Sequence, residues 1–268
     1  MLKRELGKAY KYLTSIGGNI IYLFHKKTYD KILEAYHNKY LNQSCFVVGN
    51  GPSLSGVDLD ELQKRKIITF AANKIYNIFD DTSWRPTFVS IDDDGYSKNQ
   101  EVLSHLAEAG QKMTFTDSHY GSRLDIMKPK LCLVKTRWSR KYLKNPHFSL
   151  DVSKEIYSIA TVTYFNFQLA YYMGFRKIYL LGVDNKYKLE LQADGTVKEN
   201  EGRSYFNENA EEGTQNIIVD TSETITAYEF ALKTARQNGF EIVNLSRGGY
   251  LKIFPNEDFD EVMRNWNE

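Results

Sequence analysis

Tyr164-Phe165-Asn166-Phe167-Gln168-Leu169-Ala170-Tyr171-Tyr172-Met173 runs into Gly174, and Lys177-Ile178-Tyr179-Leu180-Leu181 follows directly. The first run is long enough for three helical turns and ends at glycine, the residue that enters left-handed backbone without strain. The second is short, apolar and partly β-branched or aromatic, as a buried strand is. Together they read as one αβ unit. Working outward, further runs of the same strand type occur at Cys45–Val48, Ile67–Ala71, Thr87–Ile91, Lys112–Phe115, Leu131–Val134 and Glu241–Leu245. Amphipathic segments at Val57–Arg65, Asn99–Ala109 and Ser222–Asn238 fall between several of them. This alternation predicts an α/β, Rossmann-like fold: a mainly parallel sheet with helices on both faces. Residues 186–218, rich in Glu, Asn and Gly, lack periodicity and read as an inserted loop or lid.

The composition narrows the function classes. Lys+Arg 35 against Asp+Glu 34 leaves a formal charge of +1, so no global field gathers nucleic acid. Cys45 and Cys132 both lie in strand-like runs, where a reduced thiol acts as a small hydrophobe, and a cytoplasmic, reducing location is expected. The apolar stretch Tyr12–Phe24 is interrupted by polar residues and falls short of the ~20 needed to span a bilayer. Over residues 1–40 eight basic residues face three acidic ones (8 − 3 = +5), with Tyr10, Tyr22, Phe24, Tyr29, Tyr36 and Tyr40 interleaved. That pattern predicts a basic amphipathic helix as an arm before a domain at 41–268. Two readings stand equal: peripheral contact with the anionic inner face of the plasma membrane, or packing on its own domain or a sister subunit in a homo-oligomer.

The chemistry gathers at strand ends. In Cys45-Phe46-Val47-Val48-Gly49-Asn50-Gly51-Pro52-Ser53-Leu54 a buried strand enters a glycine turn, with a serine to cap the next helix. Glycines let a backbone approach a ligand closely, and turn N–H groups cradle phosphate. Pro52 and the lack of a third glycine set the run apart from the G-x-G-x-x-G dinucleotide fingerprint, and a plain strand-to-helix connection remains the alternative. The strand at 67–72 ends at Asn73, that at 87–91 at Asp92-Asp93-Asp94, and Leu180-Leu181-Gly182-Val183 at Asp184-Asn185. In a parallel sheet these ends surround one crevice.

The blocks Val47–Leu54, Phe70–Tyr76 and Met173–Asp184, with Asn244–Pro255 near the end, resemble the MptE-like family of Rossmann-type proteins. That family is similar in turn to the bacterial family-42 sialyltransferases and the flagellin-modifying Maf glycosyltransferases. The resemblance implies a nucleotide-activated donor, CMP-linked and sialic-acid-like, and a glycan or lipid-linked acceptor. It places Asn50 and Ser53 on the donor phosphate or ribose, Asn73 on the nucleotide, Thr161 and Thr163 at the nucleotide contact, and Asp184 at the floor, within a site that also takes in Gly49, Gly51, Pro52, Asp92, Gly182 and Asn185. Tyr187 and Tyr205 stand for two tyrosines that steady the departing phosphate. The sialyltransferases' catalytic histidine has no counterpart, since all five histidines precede residue 150. Laid on their helix, that position falls beside Asp220, with Glu223 one turn on.

The first expectation is therefore a glycosyltransferase of surface-glycan assembly with no required cofactor, in which a carboxylate deprotonates the acceptor and Asp220 leads the candidates. Asp220 also reads as a helix cap. Asp92-x-Asp94 has the spacing of a divalent-cation site, for Mg or Mn, should metal be used. The alternatives are pyrophosphate transfer from ATP to a hydroxymethylpterin and a non-catalytic nucleotide- or glycan-binding module.

Overall fold

A computed structural model describes residues 2–92, 109–123, 130–138, 144–192, 194–206, 218–248 and 250–266, with side chains from residue 13 onward. Its centre is a seven-stranded sheet in which every pairing is parallel. The strands are β1 (Ser44–Val48), β2 (Thr69–Ala72), β3 (Phe88–Ile91), β4 (Met113–Asp117), β5 (Leu131–Val134), β8 (Lys177–Leu181) and β12 (Glu241–Asn244). Each falls on a run expected from the sequence. Their order is β12-β8-β1-β2-β3-β4-β5. The chain therefore starts mid-sheet at β1, builds outward to β5, and returns to lay β8 on the other side of β1. Between β1 and β8 the strand order reverses, which is where open parallel sheets bind ligands.

Successive side chains of β1 go to opposite faces, as the two-residue period of a strand requires. Cys45 and Val47 join one core with Phe70, Phe88 and Phe115; Phe46 and Val48 join the other with Leu59, Leu62 and Leu181. The first core lies under α1 (Leu2–Tyr36), α3 (Val162–Tyr172) and α4 (Thr221–Asn238). The second lies under α2 (Gly56–Lys64) and α5 (Phe259–Arg264). α3 is buried almost all round, so its polar residues are bonded inside: Gln168 accepts from the N–H groups of Ser149 and Tyr157, at 2.9 and 3.0 Å, and donates to the Tyr157 carbonyl at 2.7 Å.

α1 packs one face on the domain. Tyr29 and Leu33 are buried in the first core, and Tyr22 stacks on Tyr29 with ring centroids 6.0 Å apart. At Gly18 the helix lies so close to a 3-10 segment at Ser118–Arg123 that an added Cβ would sit 2.4 Å from the His119 carbonyl oxygen. Among the described residues no helix is long and apolar enough to cross a membrane.

The span 186–218 differs from the expected loop. β9 (Leu189–Leu191) pairs antiparallel with β10 (Val197–Glu199) and parallel with β11 (Ile218–Val219), forming a small three-stranded sheet. Its strands are two or three residues long and mostly solvent-facing, too short for an alternating pattern to show. A two-stranded ribbon, β6 (Thr136–Trp138) with β7 (Ile156–Ser158), leads into α3. The helix expected at Asn99–Ala109 falls almost wholly outside the described residues.

Candidate functional site

Above the carboxyl ends of β1, β2, β3 and β8 lies a cavity of about 270 Å³, closed on its other sides by the β7–α3 turn, the segment after β8, and Tyr228 of α4. It lies near the low end of the roughly 300–1,000 Å³ typical of small-molecule sites. The expected strand-end residues meet here: Gly49, Asn50 and Gly51 from β1, Asn73 from β2, Asp92 from β3, and Gly182, Asp184 and Asn185 from β8. Thr161 and Thr163 at the start of α3 line it too, as do Tyr187 and Tyr205, whose rings lie edge to face at 6.2 Å. Pro52, Ser53, Asp220 and Glu223 are not among its lining. Asp94 lies outside the described residues, and no cluster that would hold a metal ion occurs among the described ones.

The glycine turn works differently from the expectation. The Gly49 N–H donates to the Leu181 carbonyl and the Gly51 N–H to the Gly182 carbonyl, both at 2.8 Å. The Ser53 N–H donates to Asp184 Oδ2 at 2.9 Å, and its hydroxyl to Asp184 Oδ1 at 2.5 Å. These donors are spent on the end of β8 and are not free to cradle phosphate. The glycines are required because the two backbones touch: a Cβ on Gly49 would stand 2.4 Å from the Gly182 carbonyl oxygen, and one on Gly51 2.4 Å from Asp184 Oδ2. Ser53 thus holds Asp184 rather than a ligand, and the cap of α2 is Ser55, which accepts from the Asp58 N–H at 3.1 Å.

Asp184 is buried, and burial pushes its carboxyl pKa up against the opposing bonds from Ser53 and the nearby Lys186. Burial also raises the Tyr187 hydroxyl, with Tyr205, Tyr228 and Asp184 adding to the effect, so this phenol is a neutral donor at physiological pH. Tyr228 is raised by burial as well, and its hydroxyl bonds Thr163 and Thr161 at the mouth of α3. Asp92 accepts a short hydrogen bond from the Ser158 hydroxyl. Asp220 caps α4: its Oδ1 accepts from the Ser222 N–H at 3.0 Å and from the Ser222 hydroxyl at 2.5 Å.

Two features mark the cavity as built for a ligand. Asn50, Asn73 and Asn185 each keep a buried side-chain oxygen without a partner, and among the described residues only Tyr29 has another such atom. An orphaned buried acceptor costs about 1–3 kcal/mol, and three of them on residues that line one cavity suit a donor-rich ligand. Asn73, Ala160 and Asn185 also hold positive φ, at 51°, 56° and 51°, a region that non-glycine residues visit rarely and that collects at functional sites. The N-terminus of α3 lines the same cavity with Thr161, Val162 and Thr163; the Thr163 N–H is taken by the Thr161 hydroxyl oxygen at 3.3 Å and the Tyr164 N–H by the Thr161 carbonyl at 3.1 Å, so it is the helix dipole that favours an anion there. Lys186 is the one cation lining the cavity among the described residues.

Sequence reasoning missed Ser158, Ala160, Asn166, Lys186 and Tyr228. Lys186 alone carried a usable signal, two residues beyond Asp184 at a strand end. The others depend on how α3, α4 and the β6–β7 ribbon dock, which no local pattern encodes.

Residues 16–190 match the family model described as 6-hydroxymethylpterin diphosphokinase MptE-like. Among solved structures the chain is similar to a MAf glycosyltransferase from Magnetospirillum magneticum AMB-1, at 14% identity and a TM-score of 0.52. That match covers 88% of this chain and 38% of the glycosyltransferase, so the chain spans well under half of that protein's length. The likeness is one of fold. No curated protein matches the chain.

Proposed function

The chain belongs to the MptE-like family, and on that premise we propose that its crevice binds an activated nucleotide and transfers the group carried on the nucleotide's phosphate, a glycosyl group. The observation that carries this reading is the make-up of the cavity: residues with three orphaned amide oxygens, a helix N-terminus and one lysine share its lining. Amide oxygens at Asn50, Asn73 and Asn185 suit the amino and hydroxyl donors of a nucleoside. The α3 N-terminus, Lys186 and the neutral Tyr187 hydroxyl suit its phosphate.

One helix N-terminus and one lysine in the lining favour a monophosphate-linked donor such as a CMP-sugar. With the turn N–H groups of Gly49, Gly51 and Ser53 already spent, a triphosphate chain finds no second cradle among the described residues. In direct displacement the acceptor oxygen bonds to the anomeric carbon as the bond from that carbon to the phosphate oxygen breaks. The electron pair leaves with the phosphate, steadied by α3, Lys186 and Tyr187, and the acceptor proton passes to a carboxylate. We assign that role to Asp92, which lines the cavity and is held by the Ser158 hydroxyl, because Asp220 and Glu223 lie outside the lining and Asp184 is doubly engaged with Ser53. Asp92→Asn is expected to cut turnover about 100-fold or more while donor binding survives, and Asp220→Asn, a cap of equal quality, to leave turnover and melting temperature near normal. A measured loss confined to Asp220→Asn would reverse the assignment.

The family model's own description favours a second reading, diphosphate transfer from ATP to a pterin. Thermal shift with CMP, CDP, UDP and ATP, each with and without Mg²⁺ or Mn²⁺, separates the two. Stabilisation by CMP without metal is the expected result. Stabilisation by ATP alone, and only with metal, would replace the glycosyl reading with the diphosphokinase one; no shift with any nucleotide would reject both.

The acceptor set gives a sharper test. Asn73→Gly and Asn185→Gly remove an orphaned oxygen and a strained backbone together, so the free protein is expected to melt at the same temperature or higher. Affinity for the stabilising nucleotide should fall about tenfold, the worth of one hydrogen bond. A fall in stability with unchanged affinity would show that these amides serve the fold.

A further inference from the structure

Of the aromatic side chains that line the cavity among the described residues, Trp138 alone is exposed, at 68%. The other two tryptophans of the chain are packed: Trp84 is buried, and Trp266 lies against Phe46 and Tyr179. The strand pattern explains the difference. Side chains two residues apart share a face of a strand, and Trp138 shares its face with Thr136, which is buried. In the parallel ribbon Thr136 pairs with Ile156, also buried, and Trp138 pairs with Ser158. The indole therefore belongs to the inward face of the ribbon, one step past the core, where a cavity takes the place of packed side chains. Ser158 stays buried with its hydroxyl on Asp92. Strand pairing thus puts a solvent-facing aromatic ring next to the residue that holds the carboxylate assigned to the acceptor's proton.

We propose that Trp138 is the platform on which the acceptor sits, and that the acceptor is a pyranose ring; its role as acceptor rests on the glycosyl-transfer reading above, the platform itself on the ribbon. A cavity of about 270 Å³ is small for one ligand, so with a donor inside it the acceptor stands at the rim, where the exposed indole is. A pyranose has a flat C–H face and hydroxyls around its edge. The indole takes the face by C–H···π contact, and Asp92, Ser158 and Thr161 in the same lining take the edge. An alkyl chain would cover those polar groups without bonding them. A nucleobase has its acceptors elsewhere in the lining, at Asn50, Asn73 and Asn185.

The test reads the emission of the exposed tryptophan and its quenching by acrylamide. Methyl glycosides of glucose, galactose, mannose and N-acetylglucosamine are titrated into the full chain, with and without CMP. At least one is expected to shift the emission and shield it from acrylamide at millimolar concentration, and Trp138→Ala should abolish both changes. By ligand-observed NMR, affinity for that glycoside should fall about tenfold in Trp138→Ala and recover most of the loss in Trp138→Phe, with CMP affinity the same in all three proteins. Folding is not at stake, because the side chain is solvent-facing. No response to any glycoside in a chain that CMP stabilises would overturn the platform and leave the nucleotide reading standing. A Trp138-dependent response in a chain that no nucleotide stabilises would keep the platform and remove the nucleotide reading. Weaker CMP binding by Trp138→Ala would overturn the proposal by assigning the indole to the nucleobase. Binding of octyl but not methyl glycosides, matched by octanol, would overturn it in favour of a lipid chain.

Discussion

Gly51→Ala is expected to abolish nucleotide-induced stabilisation and to lower the stability of the unliganded protein by about 3 kcal/mol. The new Cβ would meet Asp184 Oδ2 at 2.4 Å and the Gly182 carbonyl oxygen at 2.7 Å, and neither is the free end of a flexible side chain. Relief requires β1 and β8 to part just where the Gly51 N–H donates across them. Overpacking of this kind costs about 1–3 kcal/mol, and the lost bond adds about 1. Chemical denaturation of wild type and variant checks the stability, and the nucleotide thermal-shift assay the site. A variant as stable as wild type would show that the turn relaxes freely, and the glycine would then need a ligand to explain it.

Asp184→Ala comes next in size. It leaves the half-buried Ser53 N–H and hydroxyl without their acceptor, so a loss of about 1–3 kcal/mol is expected. The pH dependence has a definite sign. Burial raises the native carboxyl pKa above its ordinary 3.8, so the native state holds this proton more tightly than the unfolded chain. The stability that this linkage contributes is complete below about pH 3.8, drains away as pH rises through the raised native value, and is constant above it. Asp184→Asn does not titrate. The melting-temperature difference, wild type minus Asp184→Asn, should therefore be larger at pH 4 than at pH 8; a difference that grows with pH would mean that the Ser53 bonds outweigh burial and depress the carboxyl.

All seven sheet strands could be read from the chain because a parallel strand is buried on both faces and needs no partner to explain its composition. Cys45–Val48 and Lys177–Leu181 announce themselves alone. The site was legible to the extent that strand ends supply it: Asn73 and Asn185 stand where parallel topology puts a ligand. What could not be read was what each group does there. Gly49 and Gly51 fit a phosphate cradle until β8 is seen to take their N–H groups. Ser53 fits a phosphate contact until Asp184, 131 residues away, is seen to hold it. Tyr228 and Ala160 enter the cavity only through the docking of whole helices and ribbons. The aromatics of α1 were ambiguous for a related reason: its inward Tyr22 and Tyr29 and outward Phe24 sit on opposite faces of a single helix, and both faces are apolar.

The clasp between the β1 turn and the end of β8 also sets an order of events during synthesis. β1 finds β2 about 20 residues later in the chain, but its other edge waits for residues 177–181, and the crevice has no floor until Asp184 emerges. At roughly 5–20 residues per second the ribosome takes on the order of ten seconds to supply them. Through that interval the open flank of a buried, apolar strand is offered to whatever else can pair with it. The same long separation makes the pocket among the last parts of the molecule to become correct, so its competence reports on the whole sheet rather than on its own residues.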